Sequence, residues 1–326
     1  MKPPILNNLF GLLPDAFEAA ALEVFRYQHD ANAVYRNFCD ALGTKADSVQ
    51  QVCDIPFLPI GFFKSHKVLS GDTPAELCFE SSGTTLQVPS RHYISDPALY
   101  ERMLLQGFER VYGKVEDWAI LGLLPSYLER GQSSLVYMVQ HLMQRSGNEA
   151  NAFFLHDHAA LANTLRKLEA MGKPTLLIGV TYALLDFAEA HAMPLQHTVV
   201  METGGMKGRR KELLRDEVHA LLKQAFGLKQ VHAEYGMTEL LSQAYSKGEG
   251  IFECPPWMRV MVRDDDDPLQ VHKQGRGAIN VVDLANIHSC SFIATDDVGE
   301  VMEDGKFTVL GRLDYSDIRG CSLLAP

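Results

Sequence analysis

The stretch "PTLLIGVTYALLDFAEAHAMPLQHTVVMETGG", residues 174–205, places an apolar run at each end of a longer segment. The runs "PTLLIGV" and "HTVVMETGG" are short and bounded by turn residues, which is typical of strands buried on both faces. The segment between them has the length and composition of a helix. A strand, a helix and a second strand in this order predict a parallel pair with the helix packed on the sheet.

The same alternation extends outward on both sides of this unit. "DWAILGLLP" at 117–125 and "NAFFLH" at 151–156 are further strand-like runs, and "RRKELLRDEVHALLKQAFG" at 209–227 has a helical period. The apolar stripe of that helix is predicted to contain Leu213, Leu214, Val218, Leu221, Leu222 and Phe226. Gly227 fits the position just past a helix end.

The two ends of the chain have a different texture. Residues 14–30, "PDAFEAAALEVFRYQHD", predict a helix, whereas "PPWMRVMV", "GAINVVDLA", "CSFIATDD" and "KFTVLGRLD" after residue 250 predict short strands. The predicted fold is α/β, with mostly parallel sheets flanked by helices and a smaller β-rich C-terminal subdomain. The predicted division is a helical N-terminal segment at 1–75 packed on the core, an α/β core at 76–245, and a β-rich subdomain with a hinge-like tail at 246–326.

Composition excludes several classes of function. A net charge of -11 argues against a nucleic-acid binder, which needs clustered Lys and Arg to meet phosphates. The apolar runs are shorter than the roughly 18 residues of a membrane helix, and the N-terminus is a poor signal peptide. The six cysteines are far apart without a CxxC pair, which indicates reduced thiols rather than a zinc site. We therefore expect a cytoplasmic protein with no membrane span.

Ligands of open α/β sheets sit beyond the carboxyl ends of the strands. Three segments are predicted to lie there: "FESSGTT" at 79–85, "METGGMKG" at 201–208 and "HAEYGMTE" at 232–239. Neither GxxxxGK[ST] nor GxGxxG after a strand occurs, and there is no GxSxG nucleophile elbow. Consecutive hydroxyls and backbone N–H groups in "SSGTT" could form an anion-binding nest, or only a turn.

Each of the other polar segments also has two interpretations. "EYGMTE" could hold a purine, a phosphate and Mg²⁺, or simply end a strand and cap a helix. An aspartate of "ATDDVGE", 294–300, could accept ribose hydroxyls or cap a turn. Arg312 and Asp314 in "GRLDYSDIRG", 311–320, could bind a ligand or form a surface ion pair.

The order and spacing of these four segments resemble the adenylate-forming superfamily of acyl-CoA ligases, luciferases and peptide-synthetase adenylation domains. Its TSGTTG, YGxTE, TGDxG and GRxDD motifs are similar to "SSGTT", "YGMTE", "TDDVG" and "GRLDY". "LLIGVTYALLDFAE" and "METGGMKGRR" resemble the phenylacetate-CoA ligase branch and the acyl-protein synthetase of the bacterial bioluminescence fatty-acid reductase. "IPFLPIGFFKS" and "RGCSLL" favour the acyl-protein synthetase.

The resemblance implies a site for ATP and Mg²⁺ within the α/β core. The ATP phosphates would be held by Ser81, Ser82, Gly83, Thr84 and Thr85. Tyr235 would lie against adenine, Thr238 would reach the α-phosphate and Glu239 would ligate Mg²⁺.

The ribose and the backbone approach to the nucleotide are assigned in the same way. Asp297 and Arg312 would hold the ribose, while Gly204 and Gly205 would let the backbone come close to the nucleotide. The implied activity is ATP-dependent activation of a carboxylic acid, which we expect to be a fatty acid, as an acyl-adenylate. The acyl group would then pass to a thiol.

The sequence departs from the superfamily at several positions. Leu86 replaces the glycine after the threonines, and "VPSR" replaces a PK pair, which leaves Arg91 as the nearest cation. The resemblance also implies that the C-terminal cap domain, whose lysine binds the reacting carboxylate, is lacking. Lys64 and Lys207 are the candidate replacement cations.

The acyl acceptor and the partners are less determined by the sequence. Cys321 in "DIRGCS" is a candidate for thioester formation, since Arg319 would favour its thiolate, or it is a small core residue. An acyl carrier protein and CoA are the other acceptors that we expect, and a reductase is an expected partner. The alternative from another class is a non-catalytic nucleotide-binding or scaffold partner that retains the fold.

Overall fold

The computed structural model describes residues 9–81, 88–124, 132–204, 213–264 and 266–313. Within these ranges the α-helices, in chain order, are α1 (Phe17–Ala31), α2 (Ala33–Ala41), α3 (Phe62–Ser65), α4 (Pro97–Tyr112), α5 (Ser134–Ser146), α6 (His158–Ala170), α7 (Thr181–Ala190) and α8 (Arg215–Phe226).

The strands are short near the N-terminus and longest near the C-terminus. In order they are β1 (Leu58–Pro59), β2 (Leu77–Glu80), β3 (Arg91–Ile94), β4 (Ala119–Leu123), β5 (Ala152–Phe153), β6 (Thr175–Val180), β7 (Thr198–Thr203), β8 (His232–Tyr235), β9 (Ala244–Ser246), β10 (Ile251–Glu253), β11 (Met258–Arg263), β12 (Val271–His272), β13 (Gly275–Asp283), β14 (Phe292–Val301) and β15 (Phe307–Arg312).

One sheet of thirteen strands runs through the described residues, in the order β12-β11-β13-β14-β15-β10-β9-β8-β7-β6-β4-β5, with β1 paired to β14. Strands β8, β7, β6, β4 and β5 are parallel to one another, and every neighbouring pair from β12 to β8 in this order is antiparallel. Strands β2 and β3 form a separate antiparallel hairpin. The predicted α/β fold is confirmed, and the C-terminal strands extend the same sheet.

Strand β6 shows why the opening stretch forms a central strand. All six of its residues are buried, and it is paired on both sides, to β4 and to β7. Helix α7 follows directly on one face, with seven of its ten residues buried. A strand in the middle of a parallel sheet is covered on both faces and paired on both edges, so an uninterrupted apolar run suits this position.

Helix α8 begins later than its periodicity predicts. Leu214 is the N-cap residue, and the Glu217 carboxylate accepts its backbone N–H at 2.8 Å, so the helix starts at Arg215. Val218, Leu222 and Phe226 are buried as predicted, but Leu214 and Leu221 are exposed, so the predicted stripe was wrong there. Gly227 ends the helix with a φ of 64°, the left-handed conformation that glycine adopts freely.

The N-terminal residues bind to β14 and to the loop that precedes it. The Gln28 amide donates to the carbonyls of Asn286 and Ile287, both at 3.1 Å, and β1 pairs in parallel with the start of β14. Phe292 of β14 packs against Phe25, Tyr35 and Phe57. The division at residues 75 and 245 stays a prediction.

Candidate functional site

Three side chains meet at the end of β8 on one face of the sheet. The Tyr235 hydroxyl donates to Asp297 Oδ2 at 3.0 Å, and Arg312 Nε donates to Asp297 Oδ1 at 3.2 Å. Asp297 and Arg312 are opposite each other in the β14–β15 ladder, which fixes their contact. The structure therefore brings together three of the predicted site residues that are up to 77 positions apart in the chain.

The environment of these three side chains differs. The Tyr235 ring is buried against Phe252 and Phe307, and burial, with the Asp297 charge as the second cause, raises the pKa of its hydroxyl. Asp297 is buried, while the side chain of Arg312 is 77% exposed. An arginine held at its Nε by a buried carboxylate keeps its other nitrogens open to an incoming ligand.

Glu239 lies close by, with only 5% of its surface exposed. Burial raises the pKa of its carboxyl, and a hydrogen bond with Ser90 and the positive charges of Arg312 and Lys64 act in the opposite direction. Lys64 is exposed and lies in the short helix α3. Lys64 is thus near enough for its positive charge to act on the buried carboxylate of the "YGMTE" segment.

Ser90 joins the serine-rich loop to this carboxylate. Its backbone N–H donates to Ser81 Oγ at 2.8 Å, and its carbonyl accepts from the Ser81 N–H at 3.0 Å. Arg91, the cation that stands in for the PK pair, forms an exposed ion pair with Glu80 at 2.9 Å. Ser81 is therefore connected through Ser90 to Glu239.

Two buried polar side chains bind the backbone carbonyls of Thr238 and Glu239. His92 Nδ1 is 2.8 Å from the Thr238 carbonyl, and Asn286 donates to the Glu239 carbonyl at 2.8 Å. His92 Nε2 lies 3.0 Å from Asn286 Oδ1, and burial of the ring lowers the pKa of His92 to about 4. These bonds fix the loop, because a buried backbone carbonyl requires a partner.

Asp283 fixes the next turn of the same segment. Its buried carboxylate accepts the backbone N–H groups of Leu241 and Ser242 at 2.9 Å and the Ser242 hydroxyl at 2.7 Å. Asp283 and Asn286 were not predicted from the sequence. The signal was an aspartate closing the apolar run "AINVVD", since a carboxylate at a buried strand end must find donors.

Gly204 ends β7, the strand next to β8 in the sheet. It has a φ of 70°, and its carbonyl accepts from Thr181 Oγ1 at 2.7 Å. It lies at the same sheet edge as Tyr235, because the two strands are parallel. The remaining predicted site residues lie outside the described residues, namely Ser82, Gly83, Thr84, Thr85, Gly205, Lys207 and Cys321.

The described residues include no group of three or more His, Cys, Asp or Glu side chains arranged to hold a metal ion. Glu239 is a single carboxylate beside a hydroxyl. That fits Mg²⁺ in nucleotide sites, where one or two protein carboxylates and the substrate phosphates share the ion. In the part of the chain that is described, no helix is long and apolar enough to cross a membrane.

The fold is that of the adenylate-forming enzymes. A 2-hydroxyisobutyryl-CoA ligase superposes with a TM-score of 0.64, covering 97% of this chain and 73% of its own at 12% identity. ATP-bound MatB from Rhodopseudomonas palustris superposes with a TM-score of 0.56 at 17% identity, over 75% of this chain. The match covers 49% of MatB, so this chain corresponds to about half of that protein.

Two curated relatives are similar over most of both chains. A long-chain-fatty-acid–luciferin-component ligase from Vibrio harveyi is 24% identical over 92% of this chain and 84% of the relative. The protein of the same name from Aliivibrio fischeri is 23% identical over 92% of this chain and 85% of the relative. No protein-family model matches the sequence. These findings confirm the predicted resemblance and support an acyl-adenylate-forming ligase.

Proposed function

We propose that this protein uses ATP to convert a carboxylic acid into an acyl-adenylate and then transfers the acyl group to a thiol. The observation that carries the proposal is the contact of buried Asp297 with Tyr235 and Arg312, near the buried carboxylate of Glu239, on which the charge of Arg312 acts. A buried carboxylate and a ribose-type aspartate in one place suit a nucleoside triphosphate.

Each described side chain has a proposed role. Asp297 accepts the ribose hydroxyls, and Arg312, which is exposed apart from its bond to Asp297, meets the ribose from the solvent side. Tyr235 orients Asp297 through its hydroxyl and lies beside the adenine. Thr238 donates its hydroxyl to the α-phosphate, and Glu239 holds Mg²⁺, which neutralises phosphate charge when bound.

The first step joins one oxygen of the substrate carboxylate to the α-phosphorus of ATP and breaks the bond to pyrophosphate, which leaves. A carboxylate is already a nucleophile, so the protein supplies position and positive charge rather than a general base. Among the described residues, Lys64 is the candidate for that charge, because its side chain is exposed and its positive charge lowers the pKa of Glu239. Lys207 is the second candidate for the same task.

In the second step a thiolate attacks the acyl carbonyl, a thioester forms and AMP leaves. Cys321 is the proposed acceptor within the chain, with an acyl carrier protein or CoA as the other acceptors and a reductase as a proposed partner. The name of the two relatives supports a long-chain fatty acid as the substrate. We place the enzyme in the cytoplasm, because its cysteines are unpaired in the described residues.

Carboxylate-dependent exchange of pyrophosphate into ATP tests the first step. Purified protein with Mg²⁺ and a panel of acids should show exchange with at least one acid, and Glu239→Gln should reduce it by a factor of 100 or more. Binding of ATP without exchange for any acid would instead favour a scaffold that retains the fold.

The acceptor is tested separately by intact-mass measurement. Incubation with ATP and an accepted acid should add one acyl group that hydroxylamine removes. Cys321→Ser should abolish this adduct, with Cys53→Ser as the matched control. An adduct that survives Cys321→Ser would assign the thioester to another residue.

A further inference from the structure

Strand β8 presents a second polar surface on the face opposite Tyr235. Its Glu234 lies beside Thr203 of β7 and beside Tyr245 of β9 in the strand register. Gln243, just before β9, reaches the same place, since its Cγ and the Glu234 carboxylate both lie next to Gly236. We call Thr203, Glu234, Gln243 and Tyr245 together the Glu234 recess.

The recess is buried, yet it is polar. Glu234, Gln243 and Tyr245 are 8%, 6% and 4% exposed. Thr203 Oγ1 donates to Glu234 Oε2 at 2.5 Å, but Gln243 Oε1 and the Tyr245 hydroxyl have no hydrogen-bond partner among the residues that the structure describes. Buried polar atoms are normally paired, so two orphaned atoms on one face of neighbouring strands indicate a missing partner.

The missing side chain of Gly236 lets the Glu234 carboxylate and Gln243 approach each other. A Cβ atom at Gly236 would lie 2.3 Å from Glu234 Oε1 and 3.4 Å from Gln243 Cγ. The second carboxylate oxygen of Glu234 and the side chain of Gln243 therefore converge over a residue that has no side chain. Any larger residue at this position would fill the space that they share.

The recess and the proposed nucleotide site lie on opposite faces of the sheet at the end of β8. Glu234 is next in the chain to Tyr235, whose side chain contacts Asp297 on the opposite face, and Gly236 opens the segment that leads to Glu239. Both faces lie at the carboxyl end of the parallel strands, where ligands of open α/β sheets bind. A molecule whose carboxylate is at the nucleotide can thus extend into the recess.

The free atoms define the chemistry of the missing partner. Gln243 Oε1 and the Glu234 carboxylate are acceptors, and the Tyr245 hydroxyl can accept as well as donate. A hydroxyl or an ammonium group satisfies them, whereas a methylene chain would leave them buried without partners. Sites built to pair with a polar group discriminate strongly against analogues that lack it.

We propose that the Glu234 recess binds a hydrogen-bond donor, a hydroxyl or an ammonium group, carried by the acid that this protein activates. The proposal rests on the acid-activating function and specifies its substrate class. The substrate is a hydroxy or amino carboxylic acid rather than an unsubstituted fatty acid. Glu234 and Gln243 are the residues that determine this specificity.

The test compares matched acids in the pyrophosphate-exchange assay. The panel contains hexanoate and dodecanoate, each with its 3-hydroxy, terminal hydroxy and terminal amino derivative. At least one derivative should have a kcat/KM at least ten times that of its parent acid. The hydroxy and amino arms separate the two possible donors.

Two variants assign the preference to the recess. Glu234→Leu and Gln243→Leu should each lower the ratio of kcat/KM between the preferred acid and its parent by a factor of ten or more. If one of the two variants does not fold, the other carries the test. Gln224→Leu, on the exposed face of α8, is the matched control and should keep the wild-type ratio.

The outcomes separate the two proposals. If the parent acids react as well as or better than all their derivatives, the specificity proposal is overturned and the activating function stands. A preference that both recess variants retain also overturns it. If no acid supports exchange, the activating function itself fails, and the specificity proposal fails with it.

Discussion

Asp297 shows what one carboxylate does in the proposed site. It accepts hydrogen bonds from Tyr235 and Arg312 on its two oxygens while it is itself buried. A buried carboxylate with two donors is held in one orientation, which is what recognition of a ribose diol requires. The residue was predicted from the "TDDVG" segment, and the structure adds the two partners that orient it.

Asp297→Asn should weaken ATP binding about 10- to 100-fold, because hydrogen bonds to a charged acceptor contribute about 1.5–3 kcal/mol. Calorimetric titration with ATP measures the change. Asp304→Asn, which alters an exposed carboxylate paired with Lys306, is the control and should bind ATP as the wild type does. Equal affinities for both variants would remove Asp297 from the ribose site.

Glu234 gives a pH dependence of stability. Burial raises the pKa of its carboxyl from 4.5 to about 7 in the folded protein. The folded protein binds this proton more tightly than the unfolded chain does. The resulting contribution to stability is fully present below pH 4.5 and is lost as the pH rises through 7. The loss amounts to about 3 kcal/mol of the free energy of unfolding.

Glu234→Gln carries no titrating carboxyl at this position and should lack that loss. Urea denaturation of both proteins between pH 4.5 and 8 should show the free energy of unfolding of wild type falling by about 3 kcal/mol relative to the variant. Parallel curves for the two proteins would show that Glu234 titrates normally.

At the scale of elements, β8 and β14 organise the site. Strand β8 ends with Tyr235 toward Asp297 and Glu234 toward the recess, so one strand serves two faces. Strand β14 pairs with β1, β13 and β15, and its register shifts between Val298 and Gly299. That irregularity sits two residues from Asp297 and brings it opposite Arg312.

Gly299→Ala tests how tightly this part of β14 is packed. The added Cβ would lie 2.2 Å from the Thr308 carbonyl and 2.7 Å from Ile279 Cδ1, so the ladder to β15 must shift. Overpacking of this kind costs about 1–3 kcal/mol, which urea denaturation measures.

Gly107→Ala is the matched control for that substitution. It lies inside α4 with no atom within 4 Å of the new Cβ, and it should stabilise the protein by about 0.5–1 kcal/mol. A Gly299→Ala variant as stable as the wild type would contradict the packing that the structure shows.

At the scale of the whole molecule, one hydrophobic cluster and one sheet run through the described residues. The parallel and antiparallel halves share the β8–β9 pair, and the N-terminal residues pack on Phe292 and bond through Gln28. Parts that share a sheet and a core unfold together, because opening one exposes the apolar surface of the other.

The two tryptophans report on the two halves. Trp118 precedes β4 in the parallel half, and Trp257 precedes β11 in the antiparallel half. In the single-tryptophan variants Trp118→Phe and Trp257→Phe, the fluorescence transition in urea should coincide with the far-UV circular dichroism transition. A variant in which the two midpoints differ would show that the halves unfold separately.

The sequence determined the local features of this protein. Apolar runs between turn residues gave the strands of the parallel half, since a strand buried on both faces can contain little else. Leu214 was misassigned because helical periodicity does not show where capping starts the helix. Leu221 lies within the helix and is exposed because the buried stripe is narrower than predicted and follows Val218, Leu222 and Phe226. Motif order and spacing predicted that Tyr235, Glu239, Asp297 and Arg312 belong to one site, and three of them, Tyr235, Asp297 and Arg312, are in contact.

Only the tertiary structure decided which distant residues meet. That Asp297 faces Arg312, that Ser90 joins Ser81 to Glu239 and that His92 and Asn286 hold this loop all depend on strand register and on packing between remote segments. The joining of the C-terminal strands to the parallel half is of the same kind. Such pairings are set by which surfaces bury each other, and the chemical character of a single segment does not contain that information.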